Sequence, residues 1–314
     1  VALLMSTLED VEERLRGKAA QEGSPMVLEL LKSLNQAVVY PDAGNFDTNR
    51  KLWDLYAGEW DPAQPWLQQM SRDVQASLEQ DIHIVGDEWA PPTHLDRVVQ
   101  DFILTEVDSS CQVLEVGSGG GRVAARVAPH VGHLKCADIS MEMLKRCRDT
   151  LQAHTNISFL HLTQPRFPDH LHGTFHFVYV FDVFVHVDLH LIHQYLSEIY
   201  KLLVPGGKAF ISTANLMTSG GWERFARQSK YTVGGFYFLC PDMVNRLIDK
   251  NGLRILRHAD EDPSNVYYSR DYLVLVQKPT ATQAPEEHDG AGGASAGAAA
   301  EEQLQQQEKA VSSS

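Results

Sequence analysis

The chain has 314 residues, of which 43% are hydrophobic and 22% charged, a composition typical of a folded globular protein. Its formal net charge of -14 disfavours binding to nucleic acid or to anionic membranes, since both attract clustered lysine and arginine. No apolar run approaches the roughly 18 residues that cross a bilayer. We therefore expect a cytoplasmic protein. An organelle is the alternative if a targeting segment is missing before Val1, because the chain does not begin with Met.

Three zones differ in pattern along the chain. Residues 1–92 have helical periodicity and are rich in tryptophan, which predicts a helical cap or lid; a helical layer that only fills its own core is the alternative. Residues 93–279 alternate strand-like and helix-like segments, which predicts a parallel sheet covered on both faces. Residues 280–314 contain almost no large apolar side chain, which predicts a disordered tail.

The middle zone predicts its elements in a regular order. The predicted strands are 111–115, 134–138, 157–162, 175–180, 208–213, 253–257 and 272–276. Helices are predicted to follow Ser140, which can cap the first, and Asp188, and a third to end before Gly252. Pro205–Gly207 is predicted to end the second helix and to precede the fifth strand. The last two strands are predicted to pair antiparallel, because only a short loop without a helix separates them.

A glycine-rich segment, Glu115-Val-Gly-Ser-Gly-Gly-Gly121, joins the first strand to the next helix. Glycine allows a tight turn and the close approach of a ligand, and the start of a helix offers free N–H groups. The dinucleotide fingerprint would require a small residue in place of Arg122, which disfavours a nicotinamide enzyme. Asp138 ends the second predicted strand, where a carboxylate can bind ribose hydroxyls.

Four motifs in combination resemble those of the class I S-adenosylmethionine-dependent methyltransferases: VLEVGSGGGRVA, ADIS, FHFVYVFDVFVH and LLVPGGKAFIST. The resemblance extends over about residues 95–278. It implies a doubly wound α/β fold with a seven-stranded, mostly parallel sheet whose last strand is antiparallel. It also implies that S-adenosylmethionine binds across the carboxyl ends of the first four strands.

The resemblance further implies the contacts to this cofactor. Glu115 is expected near the ammonium group, Asp138 at the ribose and Asp182 beneath the sulfonium. Many family members place an Asp after the third strand to bind the adenine, and here Thr163 or Gln164 would replace it. The full set of expected cofactor-binding residues is Glu115, Gly117, Ser118, Gly119, Gly121, Asp138, Ile139, Met141, Thr163, Gln164, Asp182 and Phe184.

Methyl transfer from a sulfonium needs a general base only if the acceptor arrives protonated. His186, which follows the fourth strand, is the candidate base, and Asp182 is the second candidate for a catalytic role. Asp188 could orient His186; equally, His186 could simply pack while Asp188 caps the next helix. A metal site on His186 and His190 is disfavoured, because the H-E-x-x-H pattern and a third ligand are lacking.

The candidate substrate-binding residues come from the N-terminal zone, from the segment after the fifth strand and from the loop between the closing strands. They are Tyr56, Trp60, Trp89, Asn215, Trp222, Arg224, Tyr267 and Arg270. Arg224, Arg227 and Lys230 recur at three-residue spacing, which in so acidic a chain suggests an anionic group on the acceptor. The alternative is that this basic helix face is only solvated.

These observations together predict an enzyme that transfers a methyl group from S-adenosylmethionine to a small molecule in a lidded pocket. O-methylation is favoured over N- or S-methylation. A protein methyltransferase and a S-adenosylmethionine-binding protein without turnover are the alternatives. No oligomeric state is predicted.

Overall fold

The computed structural model describes residues 45–65, 67–68, 83–228 and 235–280. The strands are β1 Gln112–Val116, β2 His133–Asp138, β3 Ile157–His161, β4 Phe175–Val180, β5 Leu203–Ala214, β6 Arg254–His258 and β7 Asp271–Gln277. The α-helices are α1 Phe46–Glu59, α2 Pro92–Val99, α3 Ala124–Val127, α4 Met141–Thr150, α5 Leu189–Leu202, α6 Ser219–Arg227, α7 Pro241–Lys250 and α8 Val266–Arg270. None of these helices is long and apolar enough to cross a membrane. The predicted tail beyond Thr280 and most of the N-terminal zone lie outside the described residues.

The seven strands form one sheet in the order β3-β2-β1-β4-β5-β7-β6. The neighbours from β3 through β5 pair in parallel, whereas β7 lies antiparallel to both β5 and β6. This confirms the predicted mostly parallel sheet with a reversed last strand. The strand order reverses between β1 and β4, and open α/β sheets bind their ligands at the carboxyl ends of strands beside such a reversal.

The sheet is buried on both faces. In β1, Leu114 packs into one hydrophobic cluster and Val113 into the other, because successive side chains of a strand point to opposite faces. The first cluster includes Ile192 of α5, and the second includes Val98 of α2 and Cys147 of α4. The middle strands are therefore apolar at nearly every position, as expected for a doubly wound fold.

Two segments differ from the prediction. β5 begins at Leu203, so Pro205–Gly207 lies inside this strand instead of before it. The register between β4 and β5 shifts between Phe175 and Phe177, and Gly206 has a φ of +80°, which together accommodate the extra residues.

The segment between the closing strands is also not the helix-free loop that was predicted. It contains α8, whose N-cap is Asn265. The Oδ1 atom of Asn265 accepts hydrogen bonds from the backbone N–H of Tyr267 at 3.0 Å and of Tyr268 at 3.4 Å, and both tyrosines are buried. The prediction was wrong here because it overlooked the asparagine cap in front of residues that could pack onto the core.

The N-terminal helix α1 is joined to α4. Ser140 caps α4 by accepting from the N–H of Met143 at 3.0 Å, as predicted, and donates its hydroxyl to Oδ1 of Asp54 in α1 at 2.7 Å. Arg146 of α4 donates to the backbone oxygens of Ala57, at 3.1 Å, and of Trp60, at 2.9 Å. These bonds hold α1 beside the end of β2.

Candidate active site

A pocket opens at the carboxyl ends of β1, β2 and β4. It contains about 890 Å³ of space not filled by protein, the open solvent at its mouth included. Its wall combines the glycine-rich segment after β1, the end of β2, the loop after β4, part of α1 and the segment around Trp89. The pocket therefore lies where the strand order reverses.

The glycine-rich segment turns sharply at the base of the pocket. Gly117 and Ser118 both donate their N–H groups to the backbone oxygen of Ala137, at 2.7 and 3.1 Å. Gly117 has a φ of +77°, and a Cβ there would lie 2.3 Å from Val183. Gly119, at a φ of +52°, has no atom within 4 Å of a Cβ position. The backbone at Gly119 thus faces open space that a ligand can enter.

Asp138 joins the end of β2 to the glycine-rich segment. Its Oδ2 accepts from the N–H of Gly119, and its Oδ1 accepts from the N–H of Ser140, both at 2.8 Å. Burial raises the pKa of Asp138 to about 6, so that the carboxylate is still mostly ionised at neutral pH. Each carboxylate oxygen can accept a second hydrogen bond, which makes Asp138 suited to bind hydroxyl groups.

Two buried acceptor atoms of the pocket lack a partner. Oε2 of Glu115 and Oγ of Ser118 form no hydrogen bond within the part of the chain that the structure covers. Burial raises the pKa of Glu115 well above its usual value. A ligand with a positively charged N–H donor would satisfy these atoms and favour the ionised carboxylate. The residues present therefore fit an amino-acid ammonium group, as in S-adenosylmethionine.

An ionic centre formed by Arg122, Asp182, Arg270 and Asp271 lies beside the pocket. Asp182 accepts from Arg122 at 2.7 Å and from Arg270 at 2.8 Å. Arg270 also binds both oxygens of Asp271, at 2.8 and 2.6 Å, and Arg122 donates to the hydroxyl of Tyr267 at 2.8 Å. Burial alone would raise the pKa of Asp182, but the two arginines outweigh it and hold this pKa below its usual value. Asp182 is thus a paired anion.

His186 lies in the pocket wall, and its imidazole packs edge-on against the rings of Trp53 and Phe236, both with centroids at 5.2 Å. Its Nδ1 is buried and has no hydrogen-bond partner among the described residues. Burial lowers the pKa of His186 to about 4, so the ring is neutral at physiological pH. Asp188 does not orient this ring through a hydrogen bond; its Oδ1 caps α5 by accepting from the N–H groups of His190 and Leu191.

The three aromatic candidates of the N-terminal zone differ in position. Trp89 lines the pocket, whereas Tyr56 and Trp60 are buried behind it. Both hydrogen-bond to Glu88, which is 0% exposed, and the N–H of Gly86 donates to the same carboxylate at 2.8 Å. Glu88 was missed in the sequence, where it resembles a surface residue of a short acidic run.

The C-terminal substrate candidates lie outside the pocket wall. Arg270 instead donates a hydrogen bond to Asp182, and the hydroxyl of Tyr267 accepts one from Arg122, both in the ionic centre. Arg224 is buried with its guanidinium 4.5 Å above the ring of Phe236. The other predicted residues of this group are placed as follows: Trp222 is 57% exposed, Asn215 accepts from the N–H of Met217, Arg227 pairs with Glu223, and Lys230 lies outside the described residues.

Some of the expected cofactor-binding residues line the pocket, and the others do not. Those that line the pocket are Glu115, Gly117, Ser118, Gly119, Asp138, Ile139 and Asp182. Met141 is 43% exposed at the first position of α4, and Met143 lines the pocket in its place. Thr163 and Gln164 line a separate depression after β3. Gly121 and Phe184 do not line the pocket. Phe46, Asn49 and Trp53 of the wall belong to the N-terminal zone that was predicted to be a cap or lid, whereas wall residues that the sequence did not reveal include Leu162, Leu191 and Tyr195.

The comparisons with known proteins agree with this geometry. Residues 113–207 match a family model described as a methyltransferase domain. The [4+2]-cyclase SpnF superposes with a TM-score of 0.52 at 14% identity, over 74% of this chain and 96% of that one, which shows a shared fold. Magnesium protoporphyrin IX methyltransferase from Synechocystis gives a TM-score of 0.49 at 16% identity, over 67% and 94%. The N-methyltransferase NodS from Bradyrhizobium japonicum gives 0.47 at 17% identity, over 68% and 98%. No curated protein matches the chain.

The matched residues include β1 with its glycine-rich segment, Asp138, and the loop after β4. The sheet has the seven strands and the reversed β7 that the four sequence motifs imply. The pocket offers an open glycine backbone, a hydroxyl-binding carboxylate and unsatisfied acceptors for an ammonium group. Residues 113–207 are therefore a methyltransferase domain, and the residues of the pocket fit S-adenosylmethionine as its cofactor.

Proposed function

We propose that this enzyme methylates a small molecule at an oxygen atom, in the pocket between α1 and the loop after β4. The observation that carries the proposal is His186, a buried neutral imidazole in the pocket wall whose Nδ1 has no partner in the described chain. A neutral imidazole nitrogen can accept the proton that a hydroxyl must lose when it is methylated. The half-buried rings of Trp53 and Trp89 in the pocket wall support a site from which a bound acceptor excludes water.

In this mechanism the chain binds the cofactor and the acceptor, orients them, and removes a proton from the acceptor. The carboxylate of Asp138 would hold the nucleoside part of the cofactor, and Glu115 would hold its ammonium group. When bound, S-adenosylmethionine supplies a methyl group, and the electron pair of the broken C–S bond stays on the sulfur. Nδ1 of His186 takes the hydroxyl proton while the acceptor oxygen forms its new bond to carbon. Asp182 serves to position the loop after β4, because its carboxylate is already paired with two arginines.

Asp138→Ala is expected to weaken S-adenosylmethionine binding by about tenfold or more. The substitution removes a charged acceptor, and a hydrogen bond to a charged group contributes about 1.5–3 kcal/mol. Calorimetric titration with S-adenosylmethionine and S-adenosylhomocysteine measures the change. Asp249→Ala, at an exposed carboxylate that does not line the pocket, is the control. An unchanged dissociation constant for the Asp138 variant would contradict this placement of the ribose.

His186→Ala is expected to lower turnover by about 10²- to 10⁴-fold, the usual contribution of a general base, while cofactor affinity is unchanged. Because the pKa of His186 is about 4, the rate should rise with pH through that value and be level from about pH 5 upward. A histidine with an ordinary pKa would place the rise near 6.5.

The assay is mass-spectrometric detection of methyl transfer to a panel of phenols, carboxylic acids, amines and thiols. His190→Ala, an exposed histidine on the next helix, is the control. Transfer to amines or thiols alone would refute O-methylation. Cofactor binding without transfer to any small acceptor would favour a binding protein or a protein methyltransferase.

A further inference from the structure

Two asparagines at the start of α1 hold the backbone of the candidate base. Asn45 and Asn49 each donate Nδ2 to the backbone oxygen of His186, at 2.8 and 2.9 Å. A carbonyl oxygen can only accept, which fixes the orientation of both amides, so each Oδ1 points away from this bond. Neither Oδ1 has a hydrogen-bond partner in the described ranges, although both side chains are buried.

The two asparagines differ in one respect: Asn49 lines the pocket, and Asn45 does not. Two residues of the pocket wall that are hydrogen-bonded to each other therefore each hold a buried acceptor without a donor among the described residues: Nδ1 of His186 and Oδ1 of Asn49. Buried acceptors are rarely left without a donor in a folded protein. A ligand that carries two neighbouring donors would satisfy both.

The surroundings restrict the ligand further. Phe46, Trp53 and Trp89 contribute rings to the same wall, and the centroids of the two tryptophans lie 5.8 Å apart. Aromatic walls favour flat apolar molecules. The ionic centre beside them contains two arginines and two aspartates, so its formal charges balance and leave no net positive field for an anion.

We propose that Asn49 is a specificity-determining residue that selects an uncharged aromatic acceptor with two neighbouring hydrogen-bond donors. The hydroxyl that is methylated lies at Nδ1 of His186, and the second O–H or N–H donates to Oδ1 of Asn49. This inference rests on the proposed function and names its substrate class. It replaces the anionic acceptor that the spacing of Arg224, Arg227 and Lys230 suggested.

The test uses the enzyme saturated with S-adenosylhomocysteine and three probes of nearly equal shape. Catechol, 2-methoxyphenol and 1,2-dimethoxybenzene carry two, one and no hydroxyl donors on the same ring. Ligand-observed NMR titration measures their affinities. We expect catechol to bind wild type about tenfold more tightly than 2-methoxyphenol, since one hydrogen bond is gained. 1,2-Dimethoxybenzene should bind most weakly.

Variants of the two asparagines separate substrate selection from support of His186. Asn49→Leu is expected to make the affinities for catechol and 2-methoxyphenol about equal, whereas Asn45→Leu is expected to keep the preference for catechol. Each variant loses one hydrogen bond to the His186 backbone, but only Asn49→Leu also loses the amide oxygen of a pocket residue. Asn49→Ser removes the amide oxygen and keeps a small polar side chain at this position. This variant should also abolish the preference for catechol over 2-methoxyphenol. It provides the same test if Asn49→Leu does not fold.

Equal loss of the preference in the Asn45 and Asn49 variants would overturn the proposal and reduce Asn49 to a support of His186. So would equal affinities for the three probes in wild type, or no binding of any of them at millimolar concentration. The binding of S-adenosylhomocysteine is recorded in the same samples. Its absence would contradict the proposed function as well, whereas intact binding without discrimination would contradict this inference alone.

Discussion

Asp182→Asn is expected to lower the free energy of unfolding by about 3–5 kcal/mol, the usual cost of removing one partner from a buried ion pair. Arg122 and Arg270 would both lose this carboxylate, and their side chains are only 7% and 13% exposed. Asparagine keeps the size of the side chain and tolerates the φ of +60° that residue 182 adopts. The variant therefore isolates the effect of charge, which urea unfolding followed by circular dichroism measures.

A matched control comes from an exposed ion pair of the same type. Asp47 pairs with Arg50 at 2.8 Å, but its side chain is 63% exposed, so Asp47→Asn should change stability by at most about 1 kcal/mol. If both variants lost the same small amount of stability, the ionic centre would not stabilise the folded chain, and its arginines would be free to bind a ligand.

Glu88→Ala is expected to lower the free energy of unfolding by about 3 kcal/mol or more and to reduce turnover strongly. The carboxylate accepts from Tyr56, from Trp60 at 3.1 Å and from Gly86 at 2.8 Å, and each buried donor left unpaired costs about 1–3 kcal/mol. The effect extends to the pocket, because Arg122 donates to the backbone oxygen of Gly86 at 3.2 Å. Thermal unfolding and the methyl-transfer assay give the two readouts.

Glu223→Ala, at a carboxylate that is 56% exposed and pairs with Arg227, is the control for the loss of a glutamate. Glu88→Gln tests the geometry, since glutamine retains one acceptor oxygen and should recover part of the stability. Wild-type stability in Glu88→Ala would show that α1 is held by its contacts with α4 alone.

The sequence predicted the sheet and the glycine-rich segment because both depend on local patterns. Alternating strands and helices require a parallel sheet, and two strands with a short connection require an antiparallel end. The Ser140 cap was also predicted, yet Met141 was expected to face the cofactor. A helix turns by about 100° per residue, and this rotation brings Met143 and Leu144 inward while Met141 stays outside.

The rest of the site depends on contacts between residues far apart in the chain, which no periodicity encodes. Arg122 served in the sequence only as an argument against a dinucleotide fingerprint, and its pairing with Asp182 required the loop after β4 to lie beside it. Glu88 and Asn49 are polar residues in helical or turn-like segments, where exposure is the ordinary expectation. Their burial follows from how α1 packs over the pocket.

The position of β7 has a consequence for how the enzyme is made. Arg270 immediately precedes β7, and pairing of Asp271 with Ala214 brings it to Asp182. A ribosome delivers β1 through β6 first, so a nascent chain holds Asp182 with one arginine only and leaves β5 as an open sheet edge. The pairing of Asp182 with both arginines is therefore completed only when the last strand inserts between β5 and β6. We expect the ionic centre to form in a single late step of folding, when β7 pairs with β5.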